Sequence, residues 1–507
     1  MRRKDIVKTY GTFLRFGVGL AAALLSAVAW ADSTPARQSL VLGAPFASGA
    51  VLQRQMPIPV WGTAEAGHRV IVTLGEQKAH ADVGADGRWL VRLQPEEACC
   101  EGRTLAVAEV ETGFLFDREC ARIELKDVLV GEVWFVSGQS NCEVPLCGDN
   151  PHFSDRNGTA VAQKTRLPLV RFCYQSSYKT SSEPKVSASL PVVWKTFEPE
   201  NLMTPPSFSA VGCYFALELY NALRIPVGLV GAYWGGTRIE PWVPSAGVST
   251  HPELPWQNAS EMFNEMVNPW CPYAQRGFVW YQGCSNVGEA DTYAARMHAL
   301  YDGWARAFEN PRLKLYFVQI AQWGGQGVAC ALQVAQAKFA QEEPNAAMAV
   351  ISDLGNLTDI HPNEKGGVGL RLALHALKRD YGFADIEDES PVVKDWTVEG
   401  NAVDVRFEHA KRLYLYNRDF AVTTPFELAG ADGVFKPAKI ENLLPTDWEW
   451  NGQKGRDYRG QIEGDFLRLR AEGVSAPKKL RYLFSHPWLS TVYNEANLPL
   501  GTFAVDL

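Results

Sequence analysis

The sequence predicts an α/β protein with a parallel sheet at its centre and a β-domain on either side. Three observations carry that reading. Between residues 127 and 385, continuous apolar runs of strand length alternate with segments of helical spacing. Strands buried on both faces read as unbroken Val-, Phe- and Trp-rich runs, and crossover helices are what cover those faces. Before residue 127 and after residue 385 the runs are short and broken by Gly and Asp-Gly turns, the pattern of a small β-sandwich or related β-domain. Finally, 507 residues exceed one ordinary domain, so several folding units are expected.

Taken in order, the chain opens with Arg2, Arg3, Lys4, Lys8 and Arg15, then an apolar segment Phe16–Ala29 and the small-x-small pattern Ala29-Trp30-Ala31. A span needs about 20 apolar residues, so a secretory signal peptide over 1–31 is expected, with an uncleaved anchor as the alternative. The mature protein is then exported, periplasmic or secreted, with no membrane association after cleavage. A β-sandwich is expected over 32–126, from runs such as Ile58–Trp61, Val70–Leu74, Arg88–Leu93 and Leu105–Ala108.

The catalytic candidate is 127–385. Its first strand is the run from Asp127 into Gly138, followed by a helix over Ser209–Leu223, a strand at Val227–Ala232 and another at Gly277–Tyr281. A helix over about Tyr293–Phe308, a strand in Leu313–Ala321, a helix near Ala331–Gln341, a strand at Ala347–Ser352 and a closing helix over Glu364–Tyr381 complete the alternation. Pro151–Pro206, rich in Pro and Ser, reads as an insertion of loops and a few strands. Residues 386–507 form the C-terminal β-domain, with strands expected at Val403–Phe407, Leu413–Tyr416, Phe466–Leu469 and Leu480–Phe484.

Composition excludes some functions. A net charge of −8 gives no reason to expect nucleic acid as a partner. No HxxH or CxxC spacing occurs and the nine His are scattered, so neither a metal nor another cofactor is expected. Oligomeric state is unreadable from the sequence.

Chemistry concentrates where strands end. The first ends in Gly138-Gln139-Ser140-Asn141, the second in Trp234-Gly235-Gly236-Thr237, the third in Gln282-Gly283-Cys284-Ser285-Asn286, and the last leads to Asp359-Ile360-His361-Pro362. In open α/β sheets ligands bind beyond these carboxyl ends. Ester hydrolysis needs a nucleophile, a base and oxyanion donors. Ser140 supplies the hydroxyl, His361 the base, and Asp359 either orients the imidazole or serves as a turn residue. The backbone N–H of Ser140, one at Gly235 or Gly236, and the side chain of Asn286 or Gln282 are the candidate oxyanion donors.

These four blocks resemble those of the SGNH hydrolases, which implies a three-layer α/β/α catalytic domain. The flanking residues narrow the resemblance. Gly131–Asn141, Trp234–Thr237, Trp280–Gly283 and Asp359–Pro362, with Val51–Arg54 and Val60–Gly62 before them and Leu480–Tyr482, Asn494 and Leu498-Pro499 after, are similar to the sialate O-acetylesterase family. The resemblance implies an acetyl-Ser140 intermediate, Gly236 as the backbone oxyanion donor, and O-acetylated sialic acid as substrate. An acetylxylan-type esterase and a catalytically silent glycan-binding homologue are the alternatives. The family usually reads Gly-Gln-Ser-Asn-Met and Gln-Gly-Glu-Ser-Asn, and this chain has Cys142 and Cys284 at the Met and Glu positions. Three arrangements are open for them: a Cys142–Cys284 disulfide bracing the pocket floor, a local Cys142–Cys147 bridge, or buried thiols.

Overall fold

The apolar run that begins at Val128 forms the buried half of a single strand, Arg118–Gly138, around which the molecule is built. In the computed structural model residues 40–113, 116–323, 329–415, 424–444, 446–457, 462, 466–484 and 489–507 are described. The expected signal peptide lies outside them.

From Val128 to Gly138 every residue of the long strand is buried. Fully burying a Val, Leu or Phe side chain contributes roughly 1.5–3 kcal/mol, so this run alone is a large share of the core. It can be buried on both sides because it is paired on both sides. Val227–Tyr233 runs parallel to it on one edge and Gly277–Tyr281 on the other. Outward lie Leu167–Tyr174 and the antiparallel edge strand Lys195–Phe197 on the first side, then Lys314–Val318 and Ala346–Ala349 on the second. The molecule is thus α/β with a mixed sheet.

Two helix pairs accompany the sheet, Ala210–Leu223 with Gly366–Tyr381, and Ala290–Ala307 with Cys330–Glu342. Ser209 caps the first of these helices by accepting a hydrogen bond from the Gly212 N–H. At the C-terminal end of Gly366–Tyr381, Gly382 adopts φ +81°, the left-handed turn that ends many helices.

Two findings differ from the sequence expectation. The segment Pro151–Pro206, expected as an insertion of loops and a few strands, contributes Leu167–Tyr174 to the main sheet beside Val227–Tyr233, so part of it belongs to the sheet itself. The Pro at position 168 and the polar surroundings of that run hide a strand whose residues Val170–Cys173 are buried. The long strand also passes through residue 126 without a break. Its first half pairs antiparallel with Cys99–Glu111, and Val51–Gln53 runs parallel to its middle, so the early β-structure and the parallel sheet share one strand.

Beyond the closing helix, seven strands from Val392–Glu399 to Phe503–Asp506 form a separate antiparallel sheet over its own apolar core. It meets the parallel sheet through hydrogen bonds from the Ser352 hydroxyl to the Leu500 carbonyl and from the Gln322 amide to Thr502. No helix among the described residues is long and apolar enough to cross a membrane.

Candidate active site

The turn after the long strand sets the nucleophile. Gly138 has φ +140°, and a Cβ there would fall 2.3 Å from the Tyr281 carbonyl, so only Gly allows the neighbouring strand ends to approach this closely. The chain then enters the short helix Ser140–Glu143, with Ser140 as its first residue. Gln139 is buried and ties this turn to the next strand end, its side-chain Oε1 accepting from the Gly283 N–H at 2.9 Å.

His361 comes from the loop before the closing helix and reaches back over the sheet edge. Its Nε2 lies 2.8 Å from the Ser140 Oγ. Burial holds the imidazole below its ordinary pKa, Lys365 adds to that effect, and Asp359 and Glu143 oppose it. The ring is therefore uncharged near neutral pH and can accept the serine proton. The Asp359 Oδ1 accepts the His361 backbone N–H at 2.8 Å and lies 3.8 Å from Nδ1. That carboxylate shapes the loop through the backbone bond and faces the second ring nitrogen without hydrogen-bonding to it. Phe153 packs edge-on against the imidazole, with ring centroids 5.1 Å apart.

The turn Trp234–Thr237 closes the other side of Ser140. Gly235 lies against it, since a Cβ on Gly235 would be 3.3 Å from the Ser140 Cβ. Its N–H is already given to Glu143 Oε2 at 2.7 Å. Gly236 is exposed at φ +73° with open space around it, and among the described residues its N–H has no hydrogen-bond partner. Of the two glycines, Gly236 is the one with a donor to spare.

Asn286, expected as an oxyanion donor, is corrected by its surroundings. Both amide protons are spent, on Glu240 and Glu289, each at 3.1 Å, and its oxygen accepts from the Ile239 N–H and the Gln282 amide. Gln282 is equally committed, to the Thr237 carbonyl, Asn286 and Tyr293. A buried carboxamide with all partners filled has no donor for a reacting oxyanion. These residues instead brace the segment Thr237–Glu240 from beneath.

The disulfide expectation is also corrected. Cys142 and Cys284 are both free and buried. Burial pushes each thiol up to about 12, and disulfide formation needs the thiolate. Cys147 is free as well. Among the described residues no group of three or more His, Cys, Asp or Glu could hold a metal ion.

Glu143 and Lys365 escaped the sequence reading, and Asn141, read from sequence as a residue that fixes the turn, has a wider bracing role. Glu143 sits one turn on from Ser140, accepts the Gly235 N–H and also accepts the Tyr178 hydroxyl at 2.5 Å. Asn141 donates to the Ile360 carbonyl at 2.9 Å, joining the nucleophile helix to the histidine loop. Lys365 is fully buried and gives its ammonium to the Asn141 oxygen at 2.6 Å. The i+3 spacing of Glu143 from Ser140 was a signal for the first; nothing in Asn363-Glu364-Lys365-Gly366 marks a buried lysine.

Comparisons with known proteins point to one family. Residues 130–378 match the model of the carbohydrate esterase family described as sialic acid-specific acetylesterase. The human sialate O-acetylesterase is 28% identical over 419 residues, covering 73% of this chain and 76% of that protein. The rat sialate O-acetylesterase is 27% identical, covering 66% and 72%. A carbohydrate acetylesterase from Xanthomonas citri superposes with a TM-score of 0.77 at 29% identity, over 92% of this chain and 99% of that one. Over residues 130–378 the chain matches the sialic acid-specific acetylesterase family. The protein is a carboxylic ester hydrolase, and the Ser140–His361 contact lies inside the matched region.

Proposed function

We propose that this protein is an exported serine esterase that removes O-acetyl groups from carbohydrate, with O-acetylated sialic acid as its substrate, in a three-layer SGNH-type domain flanked by β-domains. The observation that carries the proposal is the 2.8 Å contact between the Ser140 hydroxyl and the His361 Nε2, at the carboxyl end of a parallel sheet. The N-terminal charge and apolar pattern supports export.

In the first step Ser140 Oγ bonds to the acetyl carbonyl carbon while His361 Nε2 takes the hydroxyl proton. The carbonyl oxygen becomes an oxyanion, met by the backbone N–H groups of Ser140 and Gly236. Collapse expels the sugar oxygen, which takes the proton back from His361, and leaves acetyl-Ser140. Water then gives a proton to His361 and attacks the same carbon; the bond to Ser140 Oγ breaks, Oγ takes that proton from His361, and acetate leaves. Asp359 stabilises the imidazolium that forms in each half by its charge 3.8 Å away. Only the acetyl group is bonded, so the sugar is chosen by what surrounds the serine. Phe153 and Tyr178 bring the 151–206 segment to that rim.

Acetate release from O-acetylated sialosides and from acetylated xylan, for wild type, Ser140→Ala and His361→Ala, tests this. Sialoside turnover lost in both variants is expected. Turnover on xylan alone would contradict the substrate, and full activity of Ser140→Ala would contradict the chemistry.

A further inference from the structure

A lysine buried beneath a hydrolase nucleophile without a carboxylate on its ammonium calls for an explanation. The Lys365 side chain is enclosed, and its one hydrogen-bond acceptor among the described residues is the Asn141 Oδ1. Its ammonium lies 5.1 Å from the centroid of the Tyr281 ring, a contact that attracts a cation. Burial pushes the amine down to about 7. The titratable groups facing it are Cys142 on the nucleophile helix, Cys284 and Tyr281 at the third strand end, Asp155 from the 151–206 segment, and Asp359 and His361 on its own loop. Cys142, Cys284 and Tyr281 stay protonated near neutral pH. Asp155 spends one carboxylate oxygen on the Lys365 backbone N–H and the other on Tyr214.

The one partner of this ammonium connects the two halves of the site. Asn141 follows Ser140 directly, its oxygen accepts from Lys365, and its amide nitrogen donates to the carbonyl of Ile360, the residue before His361. We infer that Lys365 is a positioning residue for the ester hydrolysis: through Asn141 its ammonium clamps the His361 loop to the nucleophile helix, and losing that charge loosens the clamp. A charged donor makes a hydrogen bond roughly twice as strong as a neutral one. The cation also disfavours a second positive charge on His361, which keeps the base in its working form. The reaction then has an alkaline limit set by the lysine as well as an acid limit set by the histidine. This inference rests on Ser140 and His361 acting as proposed above.

The test is the pH profile of kcat/KM on a chromogenic acetyl ester for wild type, Ser140→Ala, Lys365→Met and Cys284→Glu, with thermal unfolding of each. Wild type is expected to lose several-fold in kcat/KM as pH rises past neutrality. Cys284→Glu places a carboxylate beside the ammonium, holds its proton to higher pH, and moves that alkaline limb up by about one pH unit or more. Lys365→Met is expected to lose the limb and about tenfold in kcat, with KM within about twofold, while unfolding no earlier than wild type because a costly buried charge is gone. A merely structural lysine would lower the unfolding temperature and leave the limb in place. If Lys365→Met does not fold, the Cys284→Glu profile decides alone. An unmoved limb in Cys284→Glu, or wild-type kcat across the range in Lys365→Met, overturns the inference while Ser140-dependent turnover still stands. Absence of Ser140-dependent turnover in wild type would overturn the reading beneath it as well.

Discussion

The two ends of the buried half of the strand, Val128–Gly138, handle buried charge in opposite ways. In the strand's buried half, toward the amino end of the parallel sheet, the Glu132 side chain is fully enclosed and completely partnered. It accepts from Gln53 at 3.0 Å, from Arg54 at 2.6 Å, from Arg276 at 3.1 and 3.2 Å, and from Tyr381 at 3.0 Å. Burial would raise its carboxyl, but Arg276, Arg54 and Gln53 win and hold it below the usual range. At the carboxyl end, the Lys365 ammonium has one amide oxygen and an aromatic face, and burial wins. A buried charge with every partner filled belongs to the scaffold; one left short is sensitive to pH and available to the chemistry.

The sharpest way to break this contrast is to remove each charge in turn. Glu132→Ala leaves Arg54 and Arg276 facing an empty site. Their side chains keep 17% and 22% of their exposure, which tempers the cost to about 3 kcal/mol of stability, read by urea unfolding. The folded fraction should keep its kcat.

Lys365→Met is expected to do the reverse, adding about 1–3 kcal/mol near neutral pH while costing turnover. The sign follows from linkage. Unfolded lysine keeps its proton to about 10.4, whereas the folded one releases it at about 7. Between those values the unfolded chain binds more protons, so the lysine's penalty is constant below about 7 and fades as pH rises toward about 10. The stability advantage of Lys365→Met should shrink over the same window. A gap that stays constant with pH would contradict the depressed lysine.

Asp359→Asn comes next. Asp359 raises the His361 pKa, so its loss should move the acid limb of kcat/KM to lower pH and reduce the plateau about tenfold. Glu143→Gln is the mildest. Its carboxamide oxygen can still accept the Gly235 N–H, so a fall of about threefold in kcat is expected, whereas Glu143→Ala should cost more by freeing the Gly235–Gly236 turn.

Much of the fold was legible because burial on both faces leaves an unmistakable trace. Gly277–Tyr281 was bounded from sequence at the residues observed, and the helix read as Ser209–Leu223 begins one residue later, with Ser209 as its cap. Leu167–Tyr174 falls among the few strands expected within Pro151–Pro206, but its bounds and its place in the main sheet were hidden because its first half is not fully buried and carries Pro168. At the site, Ser140 and His361 were readable because each follows a strand or closes the alternation, and the structure places them in contact. Asn286 misled because its motif position says nothing about its side chain's partners, which only the packing of Glu240 and Glu289 reveals. Lys365 was illegible for a similar reason: a lysine between two polar residues and two glycines reads as surface, and its burial comes from elements far away in sequence.

The central claim is that Ser140 carries the acetyl group during turnover. Acid-quenched enzyme, caught during reaction with a chromogenic acetyl ester and digested, should show one acetyl group on the peptide bearing Ser140. The label should be absent in Ser140→Ala and strongly diminished in His361→Ala. Turnover in Ser140→Ala, or wild-type acetylation confined to another residue, would contradict the account.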